Sequence, residues 1–144
     1  MTDKFNPEEW AIKDYENWQL QLHSGGQYPH IGRCCAWALR DDATDIFSIN
    51  RDEREELHEI VVPEWGEVRR ILFGDFWPNA MVFGNKDRHL HYHLVPRDFS
   101  VVVYGGITFE DPDPYGGYSS KKYDLQVPRK TLLSIRDLFK ENMS

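Results

Sequence analysis

The chain has 144 residues, of which 40% are hydrophobic, and it contains five tryptophans. This length fits one domain, residues 1–144, with a sizeable core, and the composition argues against intrinsic disorder. The formal net charge of −7 disfavours a protein that binds nucleic-acid polymers, because such proteins carry net basic surfaces. No stretch approaches transmembrane length and the N-terminus lacks the apolar core of a signal peptide, so the sequence predicts a cytoplasmic protein with no membrane partner.

The first part of the chain predicts one helix and two strands. Asn6 and Pro7 are followed by two glutamates, which is typical of a helix start, and the helix is expected to run to about Asn17. Residues 1–17 are therefore predicted to form an N-terminal helical extension. Alternating apolar residues predict a strand at 18–22, and a glycine opens a second strand at 32–39.

A long helix is predicted next. Asn50 and Glu53 resemble a capping box at its start. Pro63 removes a backbone donor and is expected to kink the helix near Glu59. Apolar residues recur at helical spacing and should face the sheet; they are Leu57, Val61, Trp65, Val68 and Leu72.

The two cysteines, Cys34 and Cys35, are adjacent in the second predicted strand. Neighbouring residues of a strand point to opposite faces, so a disulfide between them is not expected. Buried free thiols are the favoured interpretation.

The last third of the chain predicts a strand, a turn-rich loop and a helix. Residues 101–104 have strand composition, and residues 111–118 contain prolines and glycines typical of turns. The carboxylates of this loop are expected to be solvated. Pro128 opens the final helix, whose apolar side consists of Leu132, Ile135 and Phe139.

Three histidines, His89, His91 and His93, alternate with apolar or aromatic residues. This alternation predicts a strand that presents all three imidazoles on one face. Three interpretations compete: a strand whose polar face happens to be histidine, a metal site, and nucleophilic catalysis. A closed metal site needs further donors, and the sequence has no Cys-x-x-Cys pair or His-Glu-x-x-His motif to supply them.

The residues before the histidines favour catalysis on an anionic substrate. A short apolar strand at 81–83 is predicted to turn at Gly84 and Asn85 and to return as the histidine strand. This hairpin would bring Asn79 and the loop amides near the imidazoles, where they form a plausible phosphate cradle. The nearby basic residues are Lys86, Arg88 and Arg97.

These motifs resemble the signature of the histidine-triad (HIT) hydrolases and transferases. The segments that match are Asn79, Gly84–Asn85 and residues 89–97, and the similarity to the bacterial and archaeal branch of diadenosine-polyphosphate hydrolases extends over roughly residues 15–140. The resemblance implies an α+β fold, with a mainly antiparallel sheet of about five strands and packed helices. Residues 98–144 form the segment that diverges most within the family.

The resemblance also implies a mechanism. His91 holds the position of the nucleophile, which attacks the α-phosphorus of a nucleotide and forms a covalent nucleotidyl-histidine. An imidazole nitrogen attacks only when unprotonated, so the other ring nitrogen should donate to a fixed acceptor. In the family this acceptor is the backbone carbonyl of the first histidine, here His89. His93 is expected to contact the phosphate oxygens and the leaving group, and no metal or other cofactor is required.

The predicted phosphate-binding residues differ in part from those of many family members. Lys86 stands where many HIT enzymes have Ser or Thr, and Asn85 stands where many have Gln. The full predicted set is Asn79, Gly84, Asn85, Lys86 and Arg88. His23 and Gln21 are the candidates for a ribose contact.

The partners implied are a small nucleotide substrate and a second copy of the chain in a homodimer. Diadenosine tetraphosphate is the first substrate expected, followed closely by a nucleoside phosphoramidate. Two alternatives remain open: a non-catalytic metal-binding or nucleotide-sensing domain, and a phosphorylase in which phosphate replaces water as the acceptor.

Overall fold

A five-stranded antiparallel sheet carries the histidine segment. The computed structural model describes residues 7–119 and 123–144, and within them the strand order of this sheet is β1-β2-β3-β5-β4. Every neighbouring pair is antiparallel. The strands are β1 (Ala11–Asp14), β2 (Trp18–Leu22), β3 (Cys34–Ala38), β4 (Trp77–Met81) and β5 (His91–Arg97). The predicted α+β arrangement is confirmed.

Helices and a small hairpin complete the described fold. The helices are α1 (Pro7–Trp10), α2 (Arg51–Glu56), α3 (Val62–Phe73) and α4 (Arg129–Asn142), with a π-helical segment (Leu57–Val61) between α2 and α3. The hairpin consists of β6 (Val102–Tyr104) and β7 (Ile107–Phe109). Among the described residues, no helix is long and apolar enough to cross a membrane.

The two faces of the sheet have different roles because side chains alternate along each strand. One face packs into the core with the long helix. Indole N–H groups anchor this packing: Trp18 Nε1 donates to the Glu53 carbonyl at 2.9 Å, and Trp65 Nε1 donates to the Gly32 carbonyl at 3.0 Å. The buried apolar residues of this layer include Leu20, Leu22, Cys34, Ala36, Leu57, Val61, Val68 and Leu94.

The N-terminal helix is shorter than predicted. It ends at Trp10, and residues 11–14 form β1 instead of continuing to Asn17. Ile12 is buried in the core while the strand backbone pairs with β2, so sheet formation outweighs the local helix signal here. Asn6, the predicted cap, lies outside the described residues.

The long helix begins with the predicted capping box. Asn50 Oδ1 accepts from the Glu53 backbone N–H at 2.9 Å, and Glu53 Oε1 accepts from the Asn50 backbone N–H at 2.8 Å. Where a kink near Glu59 is expected from Pro63, the structure has a π-helical segment that contains Glu59. Here the Val62 N–H bonds to the Leu57 carbonyl, five residues back, so helical structure continues through the irregular turn.

The histidine hairpin has a different register from the one predicted. Its first strand covers residues 77–81 and not 81–83, because Trp77 pairs with Arg97 and Met81 pairs with His93. The second strand starts at His91, so His89 precedes it. Backbone bonds of Leu90 with Ala38 and Ala43, at 3.1 and 3.0 Å, hold the segment that leads into the strand.

A buried ion pair joins α3 to the end of β5. Arg69 is 0% exposed and Asp98 is 4% exposed, and Arg69 Nη2 donates to both carboxylate oxygens at 2.7 and 2.5 Å. The remaining Arg69 donors bond to the carbonyls of Ile31 and Gly74 at 2.9 Å each. The guanidinium therefore connects four parts of the chain, and because it is fully buried, bulk solvent does not reach it to replace a lost partner.

We expect Asp98→Asn to lower the free energy of unfolding by about 3–5 kcal/mol, because it leaves the buried guanidinium of Arg69 without a counter-charge. The matched control is Asp75→Asn, which breaks the exposed ion pair with the next residue, Arg70, and should cost less than about 1 kcal/mol. Urea denaturation measures both values. Equal losses in the two variants would contradict the assigned role of the buried pair.

Candidate active site

The pairing of β3 with β5 assembles the site on the face of the sheet opposite the long helix. Trp37 pairs with His91, and Cys35 pairs with His93. Directly paired residues of antiparallel strands project to the same face, and the His91 and His93 rings lie 5.0 Å apart between centroids. The structure thus brings together the predicted catalytic histidines and residues of a strand more than 50 positions earlier.

His91 is held by the chain segment just before it. Its Nδ1 lies 2.6 Å from the backbone carbonyl oxygen of His89, so Nδ1–H is the donor. In the neutral ring this leaves Nε2 unprotonated, which is the form an attacking imidazole needs. His89 is itself fixed, because its Nε2 donates to the Ala38 carbonyl at 2.6 Å.

Trp37 contacts two of the three histidines. Its ring stacks on His89 with a centroid distance of 4.6 Å and an interplanar angle of 18°, and on His91 at 5.0 Å and 27°. The indole therefore restricts rotation of both imidazoles. Trp37 is not recognisable as a site residue from the sequence, because only the strand register reveals that it faces the histidines.

His93 has a different environment from His91. Arg33 Nη2 lies 3.2 Å from His93 Nδ1 and must be the donor, and the Cys35 sulfur lies 3.6 Å from the same nitrogen. Burial, together with the charge of Arg33 and the neighbouring His91, lowers the pKa of His93 to about 4. His93 is therefore neutral near pH 7, with its proton on Nε2.

Arg33 links the histidines to the C-terminal part of the chain. Its Nη1 donates to the Tyr118 hydroxyl at 2.6 Å, and its guanidinium carbon lies 5.2 Å from the centre of the Tyr118 ring. Gly26 lies so close that an added Cβ would approach Arg33 Nη1 to 3.1 Å and the His23 ring to 2.9 Å. A side chain at this position would therefore displace the His23 ring or the Arg33 guanidinium, unless the loop itself moved.

A cavity of about 940 Å³ opens at His23 and Arg33, and none of the three triad histidines is part of its lining. Its walls include His23 and Arg33, both of which contact His93, so the cavity adjoins the histidine cluster. This volume is within the usual range of small-molecule sites. The polar groups of its lining include His23, Gln27, His30, Arg33, Tyr118 and Arg129.

The cavity contains buried polar atoms that have no hydrogen-bond partner among the described residues. They are His23 Nδ1, His30 Nδ1 and Arg33 Nε. Burial, the charge of Arg33 and the proximity of His93 lower the pKa of His23 to about 3. For His30, burial outweighs the carboxylate of Asp111 and lowers the pKa to about 4. Such groups favour a bound polar ligand or water.

The predicted phosphate-binding residues are only partly assembled around the histidines. Asn85, Lys86 and Arg88 are exposed in the loop between β4 and β5. Gly84 in this loop adopts a φ of +64°, which other residues rarely adopt. Asn79 lies in β4 opposite Val95, on the histidine face, but its Oδ1 accepts from Arg97 Nη1 at 3.1 Å.

Arg97 does not contribute a free positive charge to the site. It is buried, and its Nε and Nη2 donate to the Asp111 carboxylate at 2.5 and 3.2 Å. Nη2 also donates to the Asp113 carbonyl at 2.6 Å. The expectation that the Asp111 carboxylate is solvated is wrong, because it neutralises a buried guanidinium 14 residues earlier and holds the loop against β5.

The two candidates for a ribose contact differ in position. His23 lines the cavity, with its ring 5.6 Å from that of His93 between centroids. Gln21 is buried, and its side-chain amide donates to Gln19 at 2.6 Å.

The cysteines are both free and buried, as predicted. Among the described residues, one group of side chains is arranged so that it could hold a metal ion. It consists of His23, Cys35 and His93, whose donor atoms lie within 4.8 Å of one another.

We expect acidification to destabilise the protein between about pH 6.5 and 4 through His23, His30 and His93. Their folded pKa values are lowered from 6.5, so in this range the unfolded chain binds protons that the folded chain does not. Replacing His93 with Gln should reduce the slope of unfolding free energy against pH by up to about 1.4 kcal/mol per pH unit. Urea titrations at several pH values measure the slope; an unchanged slope, or an NMR midpoint for His93 near 6.5, would contradict the assignment.

Comparison with known proteins gives a fold. No protein-family model and no curated protein matches the sequence. A crystal structure of a histidine triad protein from Bradyrhizobium japonicum matches with a TM-score of 0.69 and 13% identity, covering 95% of this chain and 92% of that one. A histidine triad (HIT) protein from Sinorhizobium meliloti matches with a TM-score of 0.65 and 18% identity, covering 93% and 89%.

An archaeal structure is similar as well. A hypothetical histidine triad nucleotide-binding protein from Sulfolobus tokodaii matches with a TM-score of 0.63 and 14% identity, covering 92% of this chain and 82% of that one. These structures span most of the chain, and they show that it has the histidine-triad fold.

Proposed function

We propose that this chain is a member of the HIT family and a nucleotidyl hydrolase or transferase. It acts on the α-phosphate of a nucleotide conjugate through a covalent nucleotidyl-His91 intermediate. The observation that carries the proposal is the 2.6 Å contact between His91 Nδ1 and the His89 carbonyl. This contact leaves Nε2 of the neutral ring with the free electron pair that must attack phosphorus.

His93 and Arg33 have supporting roles in this proposal. Arg33 donates to His93 Nδ1, so the proton of the neutral His93 ring is on Nε2. In that form His93 donates a hydrogen bond to a phosphate oxygen or to the leaving group. The positive charge of Arg33, next to the histidines and within the cavity wall, offsets negative charge that develops on the phosphate oxygens.

We assign nucleotide binding to the cavity and to the loop between β4 and β5. Lys86 and Arg88 are exposed and free to approach an anion, and the amides around Gly84 and Asn85 are candidates for phosphate contacts. Asn79 would contribute only if a ligand replaces its bond with Arg97. The similarity in fold to a hypothetical histidine triad nucleotide-binding protein from Sulfolobus tokodaii agrees with this assignment.

Diadenosine tetraphosphate is the first substrate proposed. Attack by His91 on its α-phosphorus forms adenylyl-histidine and expels ATP, a leaving group that is stable as an anion and needs only hydrogen bonds. An amine expelled from a nucleoside phosphoramidate must be protonated as it leaves. The lowered pKa of His93 makes the neutral ring a hydrogen-bond donor but a poor source of protons near pH 7. This difference favours polyphosphates over phosphoramidates.

Water or phosphate would complete the reaction. Water releases a nucleoside monophosphate from the histidine, as in a hydrolase, whereas inorganic phosphate releases a nucleoside diphosphate, as in a phosphorylase. The homodimer expected from the family resemblance stays a prediction that sedimentation can check, and the cytoplasmic location stays a prediction as well.

We expect intact-protein mass spectrometry, after brief mixing with diadenosine tetraphosphate and quenching without acid, to detect an adenylyl-sized gain on the wild-type chain. His91→Asn should lose the adduct and lower turnover by at least about 10³-fold, because it removes the attacking nitrogen. His58→Asn is the matched control, since His58 is an exposed histidine on the helical segment far along the chain from the triad. It should retain adduct formation and turnover.

The same experiment separates the alternatives. A parallel reaction with adenosine phosphoramidate ranks the two substrates, and added inorganic phosphate distinguishes AMP from ADP as the product. Full turnover by His91→Asn would contradict the covalent mechanism. Absence of both adduct and product in the wild type would favour a non-catalytic metal-binding or nucleotide-sensing domain.

We further propose that catalysis needs no metal, since attack on phosphorus, hydrogen bonding to the leaving group and stabilisation of negative charge are assigned to His91, His93 and Arg33. Dialysis against EDTA should therefore leave turnover of diadenosine tetraphosphate at its original rate or above it. The rate is measured before and after chelation, with zinc or magnesium added back in separate samples. Loss of turnover on chelation, with recovery on adding one metal, would contradict the assignment of no cofactor.

A further inference from the structure

We propose that His23, Cys35 and His93 form a zinc-binding site. Zinc bound at this site coordinates His93, which then no longer contacts the substrate, and the enzyme is inhibited. The inhibitory effect rests on the proposed function, whereas metal binding by these residues does not. Their donor atoms all lie within 4.8 Å of one another. One soft sulfur and two imidazole nitrogens form a donor set that suits zinc and leaves a fourth position for water or a phosphate oxygen.

The distance between two of the donors matches tetrahedral zinc. The Cys35 sulfur lies 3.6 Å from His93 Nδ1. Zinc–sulfur and zinc–nitrogen bonds of about 2.3 and 2.1 Å, set at a tetrahedral angle, place the two ligand atoms about 3.6 Å apart. The pair therefore needs little movement to share one ion.

His23 supplies the third donor of the group, and one of its ring nitrogens has no partner. Its Nδ1 is buried and has no hydrogen-bond partner among the described residues. Its ring lies 5.6 Å from the His93 ring between centroids, at an interplanar angle of 57°. A buried nitrogen without a partner is uncommon in a folded protein, so the His23 ring is not committed to other contacts through this atom.

The sheet positions these donors before any ion arrives. Cys35 and His93 are paired residues of β3 and β5, and His23 directly follows β2, the strand on the other side of β3. Donors on paired strands are held more precisely than donors on loops. The arrangement also explains why the sequence does not show the site: its ligands are separated by 12 and 58 residues.

Arg33 competes with zinc for His93, so that zinc binding is reversible. Its Nη2 donates to His93 Nδ1, the nitrogen that lies nearest to the Cys35 sulfur, so Arg33 and a metal ion compete for the same electron pair. The Tyr118 hydroxyl and ring keep two contacts for the guanidinium when it leaves His93. As zinc binds, the Cys35 thiol transfers its proton to solvent and the sulfur coordinates as a thiolate.

Cobalt is the spectroscopic probe for binding, and zinc competition gives the affinity. We expect the full-length, metal-free chain to bind one Co²⁺ with a tetrahedral visible spectrum and a thiolate-to-cobalt charge-transfer band. Cys35→Ser should abolish this band and weaken zinc binding by at least about 100-fold. Cys34→Ser is the matched control, because Cys34 is the adjacent buried cysteine on the opposite face of the strand.

Two further variants test the site from other directions. Arg33→Gln should tighten zinc binding, since it removes a competing cation, whereas His23→Asn should weaken it. Equal zinc affinities of the Cys34 and Cys35 variants, or a cobalt spectrum without a thiolate band, would overturn the proposed site. Circular dichroism of each variant confirms that the fold is retained.

Turnover in zinc-buffered solution tests the inhibition, with each rate divided by that variant's own metal-free rate. We expect zinc to inhibit the wild type and the Cys34 variant at the concentration at which it binds, and the Cys35 variant only at about 100-fold more. Zinc binding without inhibition of an active enzyme would overturn the inhibitory role. A metal-free wild type without turnover would overturn the proposed function instead, and the cobalt spectra would then decide the metal site alone.

Discussion

The antiparallel pairing of β3 with β5 is the constraint on which the candidate site depends. It places Trp37 beside His91 and Cys35 beside His93. A shift of one residue would turn every side chain of one strand to the opposite face. The histidines would then face the helical core, where Leu94 and Ala36 now pack. Burial of those apolar residues therefore selects the strand register, and the same register places the residues of the candidate site next to one another.

Neutral imidazoles are the common electrostatic feature of the site. Burial and the nearby positive charge of Arg33 lower the pKa values of His23 and His93, so these rings do not carry charge near neutral pH. A neutral ring can donate one hydrogen bond and also offer one free electron pair. The donated hydrogen bond serves the role proposed for His93 in catalysis, and the free electron pair serves the proposed metal site. The same residues can therefore take part in both.

The C-terminal segment completes the site from a distance along the chain. Asp111 neutralises Arg97 at the end of β5, and Tyr118 contacts Arg33 beside His93. Residues from the same segment form one wall of the cavity. The cavity lining contains Arg33 and Arg129 and no aspartate or glutamate among the described residues, so a chain with a net charge of −7 still presents a locally basic pocket.

The sequence by itself determined the features that depend on neighbouring residues. Alternation around His91 predicted a strand and the apolar stripe predicted the long helix, because both signals repeat with the period of the local backbone. The capping box at Asn50 predicted the start of that helix, because its partners are only three residues apart. Only the tertiary structure decided that residues 11–14 form a strand, that Arg97 is neutralised by Asp111, and that Arg33, Trp37 and His23 surround the histidines. Each of these outcomes depends on partners far apart in the chain, and their pairing is set by burial and strand register rather than by local sequence.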